Sequence, residues 1–181
     1  MELILILGPM KSGKSFEMIS HFMPLSYTNI GFGIYQPKRN VRDENVWSRN
    51  GFNIAAEKII SIEEIVNEPL EVVGIDEIHM FEEKDAATIE DLLKKGIKVV
   101  ASGLDMDYRG EMFPIVKKLF ELSPQRVDYK RAVCELCKKP EAIYTQLYQN
   151  NIPILGGLPP VVPEDGTYEY KPVCRHCFKK S

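Results

Sequence analysis

Short apolar runs and amphipathic segments alternate along the first two thirds of the chain. Runs rich in Leu, Ile and Val, typical of strands buried on both faces, occupy residues 2–7, 71–75 and 97–101. Each run is followed by a segment with apolar residues at helical spacing, at residues 15–22, 85–95 and 113–122. This order predicts an α/β fold in which helices flank a mostly parallel sheet with right-handed crossovers. Such sheets bind ligands beyond the carboxyl ends of their strands.

Weaker signals complete this part of the chain. Residues 33–35 predict a second strand, and residues 126–133 predict the last one. Residues 36–53 are polar and lack periodicity, so they predict a long loop. The segment Ser61-Ile-Glu-Glu64 matches a capping box and predicts a short helix that ends at Pro69.

The pattern changes near residue 131. Two hairpin-like strands are predicted at residues 142–148 and 168–173, around a loop rich in Gly and Pro at residues 150–166. We therefore predict two domains, 1–131 and 132–181. The second is too small to have a substantial core of its own, so a bound metal is a plausible source of its stability.

The composition places the chain among ordinary globular proteins. It has 181 residues, of which 44% are hydrophobic and 27% charged, and this excludes intrinsic disorder and a coiled coil. No apolar run approaches the roughly 20 residues of a bilayer span. We therefore expect a cytoplasmic protein without membrane contact. The net charge of −3 excludes a protein whose main work is wrapping nucleic acid, because phosphate contacts need clustered positive charge.

The four cysteines form two Cys-x-x-Cys pairs, Cys134 with Cys137 and Cys174 with Cys177. Two such pairs can bring four thiolates to one tetrahedral ion, which predicts a structural Zn²⁺ site. The distance between the pairs along the chain exceeds that of the commonest zinc ribbons, so we expect a long loop between the two knuckles. Two alternatives stay open: reduced cysteines without metal, and His176 as a ligand in place of a cysteine.

Residues 8–15 match the motif G-x-x-x-x-G-K-[ST] in full, directly after a predicted strand and before a predicted helix. Glycines let backbone N–H groups turn towards a polyphosphate, and the helix N-terminus adds partial positive charge. Lys14 can reach the β- and γ-phosphates of ATP, and the Ser15 hydroxyl suits Mg²⁺. The fold is therefore predicted to be of the P-loop NTPase, RecA-like type. The phosphate-binding residues are expected to be Gly8, Pro9, Met10, Lys11, Ser12, Gly13, Lys14 and Ser15.

An acidic pair, Asp76 and Glu77, follows the apolar run at residues 71–75. In P-loop folds an Asp at this place holds Mg²⁺, usually through water, beside the loop serine. The adjacent Glu77 can serve as a general base for an attacking hydroxyl or water. The alternative that the two carboxylates only cap a helix stays open. Loop and acids together indicate an enzyme that hydrolyses NTP or transfers a phosphoryl group, without defining the acceptor.

Four parts of the chain resemble, in order and spacing, the thymidine kinases that combine a P-loop core with a zinc lobe. They are Gly8–Ser15, Asp76–Phe81, Gly103–Phe113 and the two cysteine pairs. The most specific of them is the segment GLDMDYRGEMF at residues 103–113. The resemblance implies transfer of the γ-phosphate of ATP to the 5′-hydroxyl of thymidine. It also implies a homotetramer that thymidine triphosphate inhibits.

Carried over by position, the resemblance makes Glu77 the general base and places Mg²⁺ at Ser15 and Asp76. It further implies an apolar wall around the thymine ring, formed by Met10, Leu104, Tyr108 and Phe113. Tyr108 stands where Phe is frequent in the family. Further contacts to the base and the sugar are implied for Thr145, Val161, Val162 and Tyr170. The zinc lobe would anchor both ends of the loop 150–166, because a lid must be tethered to be precise.

The chain departs from the family pattern near the phosphate end of the predicted cleft. The family's Lys-Pro, Asp-x-Arg-Tyr and Ser-His-Asn-Gly units read Gln36-Pro37, Asn40-Val-Arg42-Asp43 and Ser48-Arg49-Asn50-Gly51 here. We expect Arg42, which matches, and His79, which stands in place of the usual Gln, to lie at the phosphates. His79 either makes the activity pH-sensitive or only replaces one hydrogen-bonding group by another.

Two other functions stay open. One is a related P-loop nucleoside kinase or NTPase whose acceptor is not thymidine. The other is an NTP-gated protein that binds nucleic acid through its zinc ribbon. Residues 131–181 carry seven Lys or Arg and five Asp or Glu, and four thiolates on Zn²⁺ add −2. The lobe is therefore near neutral, whereas a nucleic-acid-binding surface should be basic. We expect ATP and thymidine as partners and no nucleic acid.

Overall fold

A computed structural model describes residues 2–40, 46–47, 53–65, 69–163 and 166–180. Within these ranges the strands are β1 Leu3–Leu7, β2 Phe32–Pro37, β3 Val46–Trp47, β4 Asn53–Ile54, β5 Glu57–Ile59, β6 Val72–Ile75, β7 Lys98–Gly103, β8 Arg126–Tyr129, β9 Tyr144–Gln149, β10 Ile152–Pro153 and β11 Glu169–Val173. The α-helices there are α1 Lys14–Phe22, α2 Asp85–Lys94 and α3 Pro114–Glu121. Short 3-10 helices cover Met23–Tyr27, Ile62–Ile65 and Ile78–Met80.

The main sheet has the strand order β5-β2-β6-β7-β1-β8, and each neighbouring pair runs parallel. The register pairs Leu7 with Gly103 and Ile75 with Ala101, so β7 lies between β1 and β6. Because the carboxyl ends of parallel strands share one edge, the residues that follow β1 and β6 meet there, on either side of the end of β7. The predicted α/β fold is confirmed.

The strand that leads into the phosphate loop is buried on both faces. Leu3, Leu5 and Leu7 join the core on the side of α2 and α3, whereas Ile4 and Ile6 join the core on the side of α1. Each of these side chains is at most 2% exposed. Burying one such side chain contributes about 1.5–3 kcal/mol. The burial of β1 therefore fixes the position at which the following loop begins.

The predicted loop 36–53 is partly strand in the structure. β2 continues to Pro37, and β3 pairs antiparallel with β4, with Val46 opposite Ile54. The edge strand β5 had no prediction because three residues are too few for periodicity to be recognised. The rest of the predicted loop, residues 41–45 and 48–52, lies outside the described residues.

The Glu64 half of the predicted capping box forms, whereas the Ser61 hydroxyl accepts the Glu63 N–H at 3.3 Å rather than that of Glu64. The Glu64 carboxylate accepts the N–H groups of Ser61 at 3.0 Å and of Ile60 at 2.7 Å. The described helix is a single 3-10 turn, Ile62–Ile65, rather than an α-helix. Residues 66–68, which precede Pro69, lie outside the described residues.

The C-terminal part folds around an antiparallel sheet with the order β10-β9-β11. The strands predicted at 142–148 and 168–173 are confirmed as β9 and β11. Asn150 and Asn151, at φ 51° and 62°, make the tight turn between β9 and β10, because Asn tolerates the left-handed region better than most residues do. We refer to residues 150–163 as the lasso. The domain boundary near residue 131 stays a prediction.

Helices long and apolar enough to cross a bilayer do not occur among the described residues.

Candidate active site

The phosphate loop depends on two glycines with positive φ. Gly8 has φ 144°, and a Cβ there would lie 2.4 Å from the carbonyl oxygen of Lys130. Gly13, at φ 84°, turns the chain into α1. Only glycine fits both the conformation and the close approach at position 8. The strand, loop and helix predicted for residues 2–22 are thus present.

Two polar groups of the loop are arranged for an anionic ligand. The Lys14 ammonium donates to the Pro9 carbonyl at 2.7 Å, which folds this side chain back over the loop. The Ser12 hydroxyl oxygen is buried, and among the described residues it has no hydrogen-bond partner. A buried polar atom without a partner costs about 1–3 kcal/mol. The loop, at the N-terminus of α1, therefore fits a phosphate group that would supply the missing partner.

The acidic pair begins at the end of β6, across β7 from the phosphate loop. Asp76 is 6% exposed and accepts the Ser102 hydroxyl hydrogen. Burial and the neighbouring charge of Glu77 raise the pKa of Asp76 to about 7, although Ser102 and the Lys14 charge oppose the shift. The Lys14 charge also acts on Asp105, whose pKa burial raises. The strand register places the loop that carries Lys14 at the same edge of the sheet as this acidic pair.

This carboxyl pair suits a divalent cation. A buried Asp whose pKa is raised to about 7 beside a second carboxyl is only partly ionised at neutral pH, and a bound Mg²⁺ would favour its ionised form. Oxygen ligands are those that Mg²⁺ prefers. The residues present fit the ion, with the Asp76 carboxylate and the Ser15 hydroxyl as the groups that would hold it or its water shell.

Glu77 has a left-handed backbone, at φ 50° and ψ 43°. For a residue other than glycine this region is sparsely populated and costs of the order of 1 kcal/mol or more. Its carboxylate lies 3.5 Å from Nδ1 of His79. Strained backbone of this kind is concentrated at functional sites, which supports a role for Glu77 beyond capping a helix.

His79 is buried between Glu77 and the predicted thymine wall. Its Nδ1 accepts the Leu104 N–H at 3.2 Å, and its ring lies 5.0 Å from that of Phe113. The structure thus brings His79 to the wall, and its predicted contact with the phosphates stays a prediction.

Six of the residues predicted to contact thymidine lie in two apolar clusters. Leu104, Phe113 and Val161 pack in the large core on the side of α2 and α3. Tyr108, Val162 and Tyr170 belong to a small apolar cluster together with lasso residues. The structure brings these six side chains to the same two clusters, but their contact with a base stays a prediction.

Met10 and Thr145 are joined directly. The Met10 N–H donates to the Thr145 hydroxyl at 3.0 Å, so β9 holds the backbone of the phosphate loop. A second link is the ion pair between Lys11 and Glu135, which lies inside the first cysteine knuckle. Sequence reasoning missed Glu135 and Ser102. Ser102 could have been found from its place at the end of a strand beside the acidic pair, whereas the pairing of Glu135 with Lys11 has no local signal.

The four cysteines converge. Their sulfur atoms all lie within 4.8 Å of one another, and those of Cys137 and Cys174 are 3.7 Å apart. None of the four forms a disulfide in the described chain. Each knuckle is a tight turn, in which the Cys134 carbonyl accepts the Lys138 N–H and the Cys174 carbonyl accepts the Phe178 N–H. This cluster can hold a metal ion, and four thiols at such distances fit tetrahedral zinc.

The thiols differ in acidity for physical reasons. Burial raises the pKa of Cys134, but N–H groups of Cys137, Cys174 and Leu136 outweigh it, and the pKa falls to about 6. Burial and the surrounding sulfurs raise the pKa of Cys177 to about 12. Four thiols so close together resist full ionisation, and a cation removes that resistance. His176 does not belong to this cluster among the described residues.

Part of the predicted phosphate end is not described. Arg42, with Asp43 and Arg49, lies outside the described residues. Asn40 is buried, and its side-chain Nδ2 donates to the side-chain Oε1 of Gln36 at 3.1 Å. The backbone carbonyl oxygen of Asn40 accepts a hydrogen bond from the Lys58 ammonium. Gln36 and Asn40, which both depart from the family pattern, are thus hydrogen-bonded to each other at the carboxyl end of β2.

Fold and site together define a P-loop nucleotide-binding protein with a four-cysteine lobe. The family model described as thymidine kinase matches residues 1–178. The chain belongs to the thymidine kinase family, and the resemblance seen in the sequence is confirmed.

Among the relatives are proteins named thymidine kinase from two strains of Ureaplasma parvum serovar 3. Each is 31% identical to this chain over 142 residues, which is 74% of this chain. The match spans 63% of the length of each relative.

Proposed function

We propose that this protein transfers the γ-phosphate of ATP to the 5′-hydroxyl of thymidine and releases thymidine monophosphate and ADP. One observation carries the proposal: the phosphate loop after β1 and the acidic pair after β6 lie at the same edge of the sheet, on either side of the end of β7. The loop that would hold the γ-phosphate therefore lies at the same edge as the acids that would serve its transfer. Membership of the thymidine kinase family supports thymidine as the acceptor.

In this mechanism the chain positions the reactants and moves one proton. The phosphate loop and Lys14 hold the triphosphate, and Lys14 balances charge that develops at the γ-phosphate. Glu77 accepts the 5′-hydroxyl proton as that oxygen attacks phosphorus and the bond to the ADP oxygen breaks. Asp76 and Ser15 would hold Mg²⁺, which would supply positive charge to the phosphate oxygens.

The acceptor end of the site is built by the wall and the lasso. Leu104 and Phe113 supply apolar surface that suits a pyrimidine with a methyl group. The lasso residues Val161 and Val162 pack in these clusters. The backbone of Val161 is proposed to contribute polar groups to the base, because those of Val162 bond the Tyr170 hydroxyl. Zn²⁺ is proposed as the ion of the four-cysteine site, where it would hold the lobe that carries the lasso.

Other properties of the proposal rest on the family or on the sequence. A homotetramer, inhibition by thymidine triphosphate and a cytoplasmic location remain predictions. Arg42 as a phosphate ligand remains a prediction as well. The near-neutral charge of residues 131–181 still argues against nucleic acid as a partner.

A panel of acceptors tests the function. The protein is incubated with Mg-ATP and with each of thymidine, deoxycytidine, deoxyadenosine and deoxyguanosine, and 5′-monophosphates are separated by chromatography. We expect thymidine to be the preferred acceptor by at least about 100-fold, because unmatched polar groups in a site built for another base are costly. Equal products from all four nucleosides, or no product from thymidine, would contradict the proposal.

The link between Met10 and Thr145 yields a further expectation. Thr145→Val removes the buried acceptor of a loop N–H, and the loss of about 1–1.5 kcal/mol predicts a dissociation constant for ATP about 5- to 10-fold higher. Glu135→Gln weakens a partly exposed ion pair, worth about 0–1 kcal/mol, and is expected to change ATP binding by less than about 5-fold. Isothermal titration with a non-hydrolysable ATP analogue measures both. A larger effect of Glu135→Gln than of Thr145→Val would show that the ion pair is the main link.

A further inference from the structure

Tyr108 lies between the predicted thymine wall and the lasso. It is 1% exposed, and its ring packs with Leu147 and Val162, next to Ile154 and Leu158 of the lasso. Tyrosine is large enough to join two surfaces, and when it is buried its hydroxyl usually has a partner. The hydrogen-bond partner of the Tyr108 hydroxyl therefore indicates which surface the residue joins to the wall.

The Tyr108 hydroxyl bonds both backbone groups of a single lasso residue. It donates to the Leu158 carbonyl at 2.9 Å and accepts the Leu158 N–H at 3.2 Å. Leu158 is 50 residues away along the chain. The two bonds fix the peptide groups on both sides of Leu158 against the wall. A phenylalanine ring at position 108 would make neither bond.

The backbone of Tyr108 is also held by hydrogen bonds, which restricts the position of its side-chain hydroxyl. The fully buried Gln146 side chain donates from Nε2 to the carbonyls of Tyr108 and Ile154, both at 3.4 Å. Its Oε1 accepts the Lys179 N–H at 2.8 Å. One amide of β9 thus connects the wall, the lasso and the C-terminal segment.

The turn that carries Tyr108 is ordered by Asp107, which is 3% exposed. Its carboxylate accepts the N–H groups of Arg109 at 2.8 Å and Glu111 at 3.1 Å. The Arg109 guanidinium bonds the other oxygen at 2.7 Å. Tyr108 therefore projects from a braced turn rather than from a mobile loop.

We propose that Tyr108 is a positioning residue for the nucleoside, which fixes the lasso through its hydroxyl at Leu158. The proposal rests on the function proposed above and adds how the lasso is placed. Tyr170 makes a second attachment, because its hydroxyl accepts the Val162 N–H at 2.8 Å and donates to the Val162 carbonyl at 3.1 Å. Between Leu158 and Val162 the lasso backbone is held at both ends. A preorganised lid binds its ligand without the entropy cost of ordering it.

The test uses Tyr108→Phe in the full chain, with Tyr27→Phe as the matched control. The control removes the same hydroxyl from a ring that is 87% exposed. The first measurement is amide hydrogen exchange by NMR, without nucleoside or nucleotide. In Tyr108→Phe we expect exchange at the Leu158 amide about 10-fold faster, as for loss of a bond of about 1.4 kcal/mol. The Val162 amide, which donates to Tyr170, should be unchanged and serves as an internal reference.

The second measurement is steady-state kinetics with thymidine. We expect the KM for thymidine to rise about 5- to 10-fold in Tyr108→Phe, with kcat within about twofold, because the lost interaction orders the binding site and not the reacting atoms. Tyr27→Phe should leave both constants unchanged. A thermal unfolding midpoint close to that of the parent protein verifies that Tyr108→Phe folds.

The outcomes separate this proposal from the one on which it rests. Faster exchange at Leu158 together with a raised KM supports the positioning role. Unchanged exchange at Leu158, or faster exchange with KM unchanged, overturns it. If the parent protein phosphorylates another nucleoside instead, the proposed acceptor is wrong, and KM is measured with that nucleoside. If it phosphorylates none, the proposed function fails, and the exchange at Leu158 alone decides whether Tyr108 holds the lasso.

Discussion

Glu77→Gln is expected to lower kcat for thymidine phosphorylation by about 10²–10⁴-fold, the usual contribution of a general base. The substitution keeps the shape of the side chain and removes its ability to accept the 5′-hydroxyl proton. ATP binding should persist, because the phosphate loop and Lys14 are untouched. Single-turnover phosphate transfer and titration with an ATP analogue measure the two effects separately.

The matched control for this substitution is Glu83→Gln. Glu83 is an exposed glutamate near the start of α2, so its loss changes the net charge equally. We expect Glu83→Gln to keep the kcat of the parent protein. If Glu77→Gln retains more than about one tenth of the parent kcat, which is too much for a lost general base, Glu77 is not the proton acceptor.

The second large effect is expected from the four-cysteine site. Cys174→Ser removes a buried sulfur of the proposed zinc site, 3.7 Å from that of Cys137. We expect bound zinc to fall from one per chain to less than about half, because three thiolates hold the ion far more weakly than four. Without the ion, the lobe loses its main cross-link. A loss of about 3 kcal/mol would lower the unfolding midpoint by roughly 10 °C in a chain of this size.

The consequence for activity follows from the contacts of the lobe. β9 carries Thr145, which holds Met10, and β11 carries Tyr170, which holds Val162. Loosening the lobe should therefore raise the KM for thymidine and for ATP together. Elemental analysis, calorimetry and steady-state kinetics on the same preparation measure the three effects.

His176→Ala is the control for the cysteine site. His176 lies in the same knuckle as Cys174 but outside the cluster of sulfur atoms. We expect this variant to retain one zinc per chain and the unfolding midpoint of the parent protein. Loss of zinc in His176→Ala with retention in Cys174→Ser would show that histidine replaces this cysteine as a ligand.

Local patterns in the sequence accounted for the chemistry at both ends of the molecule. A phosphate loop is contiguous, and its strand and helix adjoin it, so residues 3–22 could be recognised without a structure. Two Cys-x-x-Cys pairs are similarly explicit, and the structure brings their sulfurs together. The weakly patterned segment 36–59 was only partly predicted, because two- and three-residue strands at an edge owe their form to the neighbouring strands.

The interpretation of individual side chains depended on where they lie. Thr145 was expected to contact the base or sugar, and the structure shows its hydroxyl accepting the Met10 N–H. His79 was expected at the phosphates, and it lies against Phe113 and Leu104. In both cases the residue type had several possible partners, and its own segment did not select among them.

The apolar runs, the phosphate loop, the acidic pair and the cysteine pairs follow from the order of residues alone, because each is encoded within a few consecutive positions. The meeting of the phosphate loop and the acidic pair at one edge of the sheet, the hydrogen bonds of Tyr108 to Leu158 and the ion pair between Lys11 and Glu135 do not. These contacts join residues from 50 to 124 positions apart or sit across β7 from each other. They depend on strand order and on the docking of the cysteine lobe, which arise only when the whole chain is packed.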